Sequence, residues 1–232
     1  MALKGLEVLL QIGAGIQLGP NAFAAFDALG IGERARGRAV YTDEMVMHDA
    51  IDETRVAHIE TGAAFRARFG NPYAVIHRAD VHKSLLEGAE ATGRIDVSTS
   101  TTVQGVIEQD EYGVTVCDTD GHTHRGIALI GADGVKSAVR RQCVGDETRV
   151  SGDVVYRAVV NRRDFPADLR WNAASIWVGP NCHLVHYPLR GGDQCNVVVT
   201  FHSREQEAWA CARATTRKCR ATSRRSASAR TS

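Results

Sequence analysis

Three segments of the chain carry residues able to do chemistry. The first is Gly131-Ala132-Asp133-Gly134-Val135-Lys136-Ser137-Ala138-Val139-Arg140. A buried strand over Gly126–Gly131 would deliver Asp133 to its carboxyl end, where open α/β sheets hold ligands. Gly134 would let a ligand approach the backbone closely. A helix over Ser137–Cys143 would offer free N–H groups and a positive dipole end to phosphate. An ordinary Asp-Gly turn with a solvated Ser137 uses the same residues, and the segment alone leaves both readings open.

The second segment is Gly13-Ala14-Gly15-Ile16-Gln17-Leu18-Gly19-Pro20-Asn21. A dinucleotide fingerprint would place its third glycine at position 18, which is Leu18. Pro20 also interrupts the helix such a fingerprint needs. A glycine-rich loop packed against a planar ligand or another backbone suits the residues better than a pyrophosphate cradle.

The third segment is Cys182–Leu189, with His183, His186 and Tyr187. On a helix the two histidines could share a metal, but this stretch reads as a strand. There His183, Val185 and Tyr187 share one face, and Leu184 and His186 share the other. The histidines are then not co-ligands, and no metal is expected. His183 and Tyr187 together could line a phenol-sized pocket, whereas a lone strand histidine would be structural. The chain holds no G-x-S-x-G, P-loop or H-E-x-x-H pattern, so hydrolase and phosphotransferase chemistry has no support.

The elements that must position these residues follow from local pattern. Met1–Lys4 suits the last turn of a helix stopped by Gly5, and Leu6–Ile12 suits a buried strand. Asn21 can cap a helix to about Leu29. Alternation in Met45–Met47 and Val56–Ile59 predicts a hairpin turning near Asp49–Glu53. Tyr73–Ile76 reads as a short strand ending at His77-Arg78, and Asp80 as the cap of a helix to about Ala91. Asp96–Val97, Thr101–Glu108 and Val114–Cys117 read as extended, with Asp120-Gly121 as a hairpin turn. From residue 154 the pattern is nearly all β: Val154–Val160, Ser175–Val178, Cys182–Leu189 and Asn196–His202. The last three read as an antiparallel meander.

The chain has 232 residues, enough to bury a core. The longest apolar runs are too short to span a bilayer, and no signal peptide opens the chain. Six cysteines without a C-x-x-C pair indicate free thiols in a reducing cytoplasm. The net charge of +1 conceals an asymmetry. Residues 210–232 hold six Arg and one Lys and no acid, which leaves 21 basic and 27 acidic residues in the remainder. That tail has no Val, Ile, Leu or aromatic residue, so little opposes its conformational entropy, roughly 1–2 kcal/mol per residue. It reads as a disordered end without a role, or as a tail for nucleic acid or anionic lipid. It has no interleaved aromatic residue to stack on bases.

Taken together, Ile12–Gly30, Tyr73–His82, Leu129–Arg140, Val154–Val160 and His183–Trp209 resemble the class A flavoprotein aromatic hydroxylases of the p-hydroxybenzoate/salicylate hydroxylase type. The resemblance runs over roughly residues 1–209. It implies an α/β chain in three parts. Residues 1–153 would form an incomplete FAD-binding, Rossmann-like parallel-sheet domain with an inserted hairpin at about 40–72. Residues 154–209 would form part of an antiparallel β-sheet substrate domain, and 210–232 a disordered basic tail. It further implies FAD as cofactor, NADH as reductant and O2 as oxidant, with hydroxylation of a phenolic benzoate through a flavin C4a-hydroperoxide. By the family's pattern Arg78 contacts FAD, Asp133 and Gly134 touch its ribityl–phosphate region, and Gly13, Ala14 and Gly15 lie by the isoalloxazine. His183 sits near the substrate phenol and accepts its proton, and Tyr187 lines the same site. The implied partner is a small aromatic acid, with no nucleic acid and no membrane. The full-length family allows a homodimer, and a cytoplasmic location is expected.

The chain also departs from that pattern. The family opens with a true G-x-G-x-x-G unit and has a Glu for the adenosine ribose, and neither is found here. Its later G-D-A-A-H-P segment is missing too, and the likeness ends near Trp209. Each lost charge-assisted contact is worth about 1.5–3 kcal/mol. Weak or no FAD retention and poor solubility are therefore expected of the chain by itself, with an inactive remnant as the alternative to an enzyme. An Arg/Ala/Ser/Thr/Cys-rich tail is what a shifted reading frame of a GC-rich gene yields. Translation of the underlying DNA should show the hydroxylase pattern continuing past Trp209 in another frame. Finding it in neither alternative frame would refute a frame shift.

Overall fold

A computed structural model describes residues 2–3, 14–149 and 151–202. Three sequence expectations lie outside the described residues: the strand at Leu6–Ile12, Gly13, and the basic tail. Ala2–Leu3 (β1) pairs parallel with Val97–Ser98 (β6), so this stretch is a strand and not the end of a helix. Gly15–Leu18 (β2) is also a strand, where a loop was expected. It pairs antiparallel with Ala74–His77 (β5). Pro20–Ala28 (α1) starts at Pro20, one residue before the expected cap Asn21. Pro20 occupies the first helical turn, where its missing N–H and fixed φ cost nothing, so it opens the helix instead of interrupting it. Gly32–Arg36 (α2) follows.

The main element is a six-stranded sheet. It contains Glu44–Asp49 (β3), Arg55–Glu60 (β4), Asp153–Asn161 (β10), Ala173–Gly179 (β11), Cys182–Leu189 (β12) and Gln194–His202 (β13). Their order is β10-β13-β12-β11-β3-β4. The expected hairpin is β3–β4, and the expected meander is β11–β12–β13. β3 lies parallel to β11, which joins the hairpin to the meander. Ala63–Phe69 (α3) leads on to β5. Arg78–Ala91 (α4) follows β5 directly.

Its cap is His77, not Asp80: the His77 Nδ1 accepts from the Ala79 N–H at 3.2 Å. Asp80 is instead drawn outward to Arg190 in the β12–β13 turn, at 3.3 Å. Val103–Asp110 (β7), Gly113–Asp118 (β8) and Thr123–Gly126 (β9) form a separate antiparallel sheet. Ala138–Val144 (α5) packs on β7.

The predicted buried strand at Gly126–Gly131 does not form. Only Gly126 is in a strand, and 127–134 is irregular. Ile127 is 94% exposed and Ile130 89%. An apolar run becomes a strand only when a neighbour takes up its backbone groups, and among the described residues none lies beside it.

The two faces of the six-stranded sheet differ. On one, Tyr187, Leu189 and Ala174 form a core with Tyr73 and Val75, joined by Val159, Val185 and Met45. A second core gathers Leu18, Phe23, Ala74 and Ile76 beneath α1. On the other face His186 is buried among Phe165, Trp171 and Trp177, with ring centroids 5.5–6.4 Å away. His48 stacks on Trp177 at 4.3 Å. Burial, helped by His48, pushes the His186 imidazole down to about 4. The unfolded imidazole, near 6.5, binds a proton that the folded one refuses, so stability falls as pH drops from about 6.5 to about 4. The shift corresponds to about 3 kcal/mol. Urea unfolding of the His186→Gln variant should show a shallower acid slope by about that amount than the unsubstituted chain. An unchanged slope would mean that His186 titrates normally.

Candidate active site

The site is built where β2 lies against β12 and β13. The Gly15 N–H donates to Asn196 Oδ1 at 2.7 Å, a buried bond between residues 181 apart in the chain. Asn196 is paired with Tyr187 across the β12–β13 ladder. A Cβ at Gly15 would stand 2.7 Å from the Tyr187 hydroxyl oxygen and closer still to its ring. The group that closes on this glycine is a tyrosine side chain of the same chain, where the sequence suggested a planar ligand or another backbone. On the far side, the Arg78 N–H donates to the Ala14 carbonyl at 3.0 Å. Tyr73 Oη donates to Gln17 Oε1 at 2.7 Å and holds the same strand.

Ala14, Gly15, Arg78 and Tyr187 are thus brought together. His183 occupies the same face of β12 as Tyr187. It sits two pleats further along, about 13 Å away at strand spacing. Burial pushes the Tyr187 phenol up to about 12, partly offset by the nearby guanidinium groups of Arg157 and Arg78. Tyr187 is therefore a neutral hydrogen-bonding group across the physiological range. Both arginines are exposed, and among the described residues neither is paired with a carboxylate.

Asp133 and Gly134 are held from the α5 side. Asp133 accepts from the Ser137 hydroxyl, and from the Ala138 and Val139 N–H groups at 2.7 and 3.4 Å. These bonds, Ser137 first, hold its carboxyl below the usual range. Ser137 is buried and caps the helix by accepting from the Arg140 N–H at 2.9 Å. The helix N–H groups expected to meet phosphate are consequently taken by the chain's own side chains. Gly134 has φ +83° with open space where a side chain would stand.

Two residues of this region were not singled out from sequence. Asn196 interrupts the apolar strand Cys195–Phe201, and Arg157 interrupts Val154–Val160. A polar residue inside an apolar strand is the signal that could have found both. Elsewhere, Asp118, Asp120 and His122 place ligand atoms within 4.8 Å of one another. There the Asp118 carboxylate accepts from the Asp120 and His122 N–H groups and meets His124 at 3.0 Å, which fastens the β8–β9 turn.

The sequence pattern of the FAD binding domain matches residues 13–231. The chain belongs to that family. It is 74% identical over 199 residues to 3-hydroxybenzoate 6-hydroxylase of Polaromonas naphthalenivorans, covering 86% of this chain and 50% of that protein. Identity to the 3-hydroxybenzoate 6-hydroxylase of Klebsiella oxytoca is 55% over 217 residues, with 90% and 54% covered. The chain spans about half the length of these curated relatives. Among solved structures, Klebsiella pneumoniae HpxO complexed with FAD and uric acid matches with TM-score 0.75 at 23% identity, covering 89% of this chain and 51% of that one. A salicylate hydroxylase substrate complex matches with TM-score 0.68 at 24% identity, covering 88% and 54%. These likenesses show the fold: mixed α/β, as in the FAD-dependent hydroxylases.

For this FAD binding domain the residues fit the cofactor in part. The open backbone at Gly134 and the Arg78 guanidinium, which meets no carboxylate among the described residues, suit a phosphate-bearing planar group, whereas the α5 N-terminus is already saturated. The tightest constraint is Gly15 against Tyr187. Gly15→Ala should cost about 1–3 kcal/mol through overpacking. Pairing it with Tyr187→Ala should recover most of that loss in a double-mutant cycle read by urea unfolding. Additive losses would show that the two residues do not constrain each other.

Proposed function

We propose that this chain is the flavin- and substrate-facing part of an FAD-dependent hydroxylase acting on 3-hydroxybenzoate, with NADH as reductant and O2 as oxidant. The observation that carries the reading is the convergence of Ala14, Gly15, Arg78 and Tyr187, with His183 further along the same face. The high identity to 3-hydroxybenzoate 6-hydroxylases supports the choice of ring. In this reading residues 1–153 serve mainly the cofactor and 154–209 the substrate.

FAD, when bound, supplies the activation of O2. Arg78, Ala14 and Gly15 would hold its ring end, and Gly134 would admit its ribityl–phosphate portion. The protein's own tasks are binding, orientation and proton transfer. His183 accepts the phenolic proton, because phenolate attacks an electrophilic oxygen faster than phenol, an effect typically worth about 10²–10⁴-fold. Tyr187 stays protonated and can donate to substrate.

A second reading, that the chain by itself turns nothing over, is favoured by the exposure of Ile127 and Ile130 just ahead of Asp133. If the first reading holds, purified chain supplied with excess FAD should take up flavin and oxidise NADH faster when 3-hydroxybenzoate is added. His183→Ala should lower the stimulated rate by about 10²–10⁴-fold. Flavin-free protein, or flavin without ring-stimulated oxidation, would favour the second reading.

A further inference from the structure

The β8–β9 hairpin carries a cluster of metal-ligating side chains that the hydroxylase chemistry does not use. Its loop is Thr119-Asp120-Gly121, closed by the Asp118 N–H donating to the His122 carbonyl at 3.0 Å. Gly121 has φ +83°, the left-handed conformation that a three-residue hairpin loop needs. Next in the ladder, Cys117 pairs with Thr123 and Val116 with His124. Asp118, His122 and His124 therefore share one face of the small sheet.

Asp118 is the buried carboxylate of the described residues, 3% exposed. Asp27, Glu44, Glu87 and Asp146 each face an arginine. Asp118 meets no Lys or Arg among the described residues. Its Oδ2 faces two imidazoles, His122 Nδ1 at 3.4 Å and His124 Nε2 at 3.0 Å. Its Oδ1 accepts from the Asp120 and His122 N–H groups at 3.0 and 2.9 Å, which fixes the carboxylate and leaves Oδ2 to the histidines. Buried carboxylates are paired or coordinate metals, so a cation is the missing countercharge. Ligand atoms of Asp118, Asp120 and His122 already lie within 4.8 Å of one another. Bonds of about 2.0–2.2 Å to a tetrahedral ion would set them about 3.3–3.6 Å apart. The His122–Asp118 separation has that value. Asp120 and His122 are exposed on the loop, so both can close on an ion without moving the sheet.

We propose that Asp118, Asp120 and His122 bind a divalent transition ion of the zinc type, with water in the fourth position and His124 holding the Asp118 carboxylate from outside. A nitrogen beside carboxylate oxygens suits zinc, whereas magnesium and calcium take oxygen sets. Outer partners such as His124 fix the orientation of a ligand and are nearly as sensitive as the ligand itself. The role is structural. The ion fastens the open end of the β7–β8–β9 sheet, against which α5 packs.

The full chain, stripped with a chelator, is titrated with zinc chloride against a chromophoric competitor at neutral pH. The His122→Gln, His124→Gln and His58→Gln variants are titrated alongside. His122 has a 73% exposed side chain, and the backbone N–H groups that hold Asp118 survive its substitution, so the hairpin is retained. His124→Gln should weaken zinc by about 10- to 100-fold. His122→Gln should weaken it further. His58→Gln, at an exposed histidine of β4, should leave the affinity unchanged. Cobalt in place of zinc should show the visible bands of a nitrogen–oxygen set without a thiolate band. His124→Gln should keep those bands, and His122→Gln should alter them. No zinc uptake, equal affinity in all variants, or tighter binding of calcium than of zinc would overturn the proposal. A thiolate band that persists in His122→Gln would assign the ion to cysteines and overturn it as well.

Discussion

The hydrogen bond from Gly15 to Asn196, with Tyr187 packed on the same glycine, is the joint on which the site depends. It fastens β2, which carries the Ala14–Gly15 edge, to the middle of the six-stranded sheet. The Arg78 N–H closes the other side of that edge. A side chain at Gly15 would force these layers apart, and Ala14, Arg78 and Tyr187 would then lose their common frame. Interiors are packed as densely as organic crystals, so one methyl group at such a contact matters.

The sheet divides its labour by face. One face buries Tyr187 and Leu189, with Val159 packed against them, and continues into the open rows that carry Arg157 and His183. The opposite face buries His186 among tryptophan and phenylalanine rings. The two histidines three residues apart thus meet opposite fates. His186 is kept neutral by burial, and His183 stays partly accessible on the face that carries Tyr187. The odd spacing of a strand is the whole cause.

The Asp133 region shows how one sequence signal can satisfy two demands. Its carboxylate and Ser137 saturate the N–H groups of α5, which stabilises a seven-residue helix with no long partner. What stays open is the backbone of Gly134. Just ahead of it, Ile127 and Ile130 are exposed among the described residues.

The β3–β4 hairpin, the β11–β12–β13 meander, the alternation that places His183 and Tyr187 on one face, and the α5 helix were all legible in the sequence. Each depends on periodicity or turn chemistry within about ten residues, which a linear reading can see. The helix starts at Pro20 and Arg78 were misplaced because Pro20 suits the first helical position after Gly19, and because His77 does the capping that Asp80 seemed suited to. The failed strand at Gly126–Gly131 shows that apolar content gives only the capacity for pairing. The family likeness was legible too, since it rests on local motifs. Tertiary structure alone decided that Gly15 meets Asn196 and Tyr187, that Arg157 shares their face, and that the α5 N–H groups are already used. Those contacts join residues far apart in the chain, and only the folded sheet sets their distances.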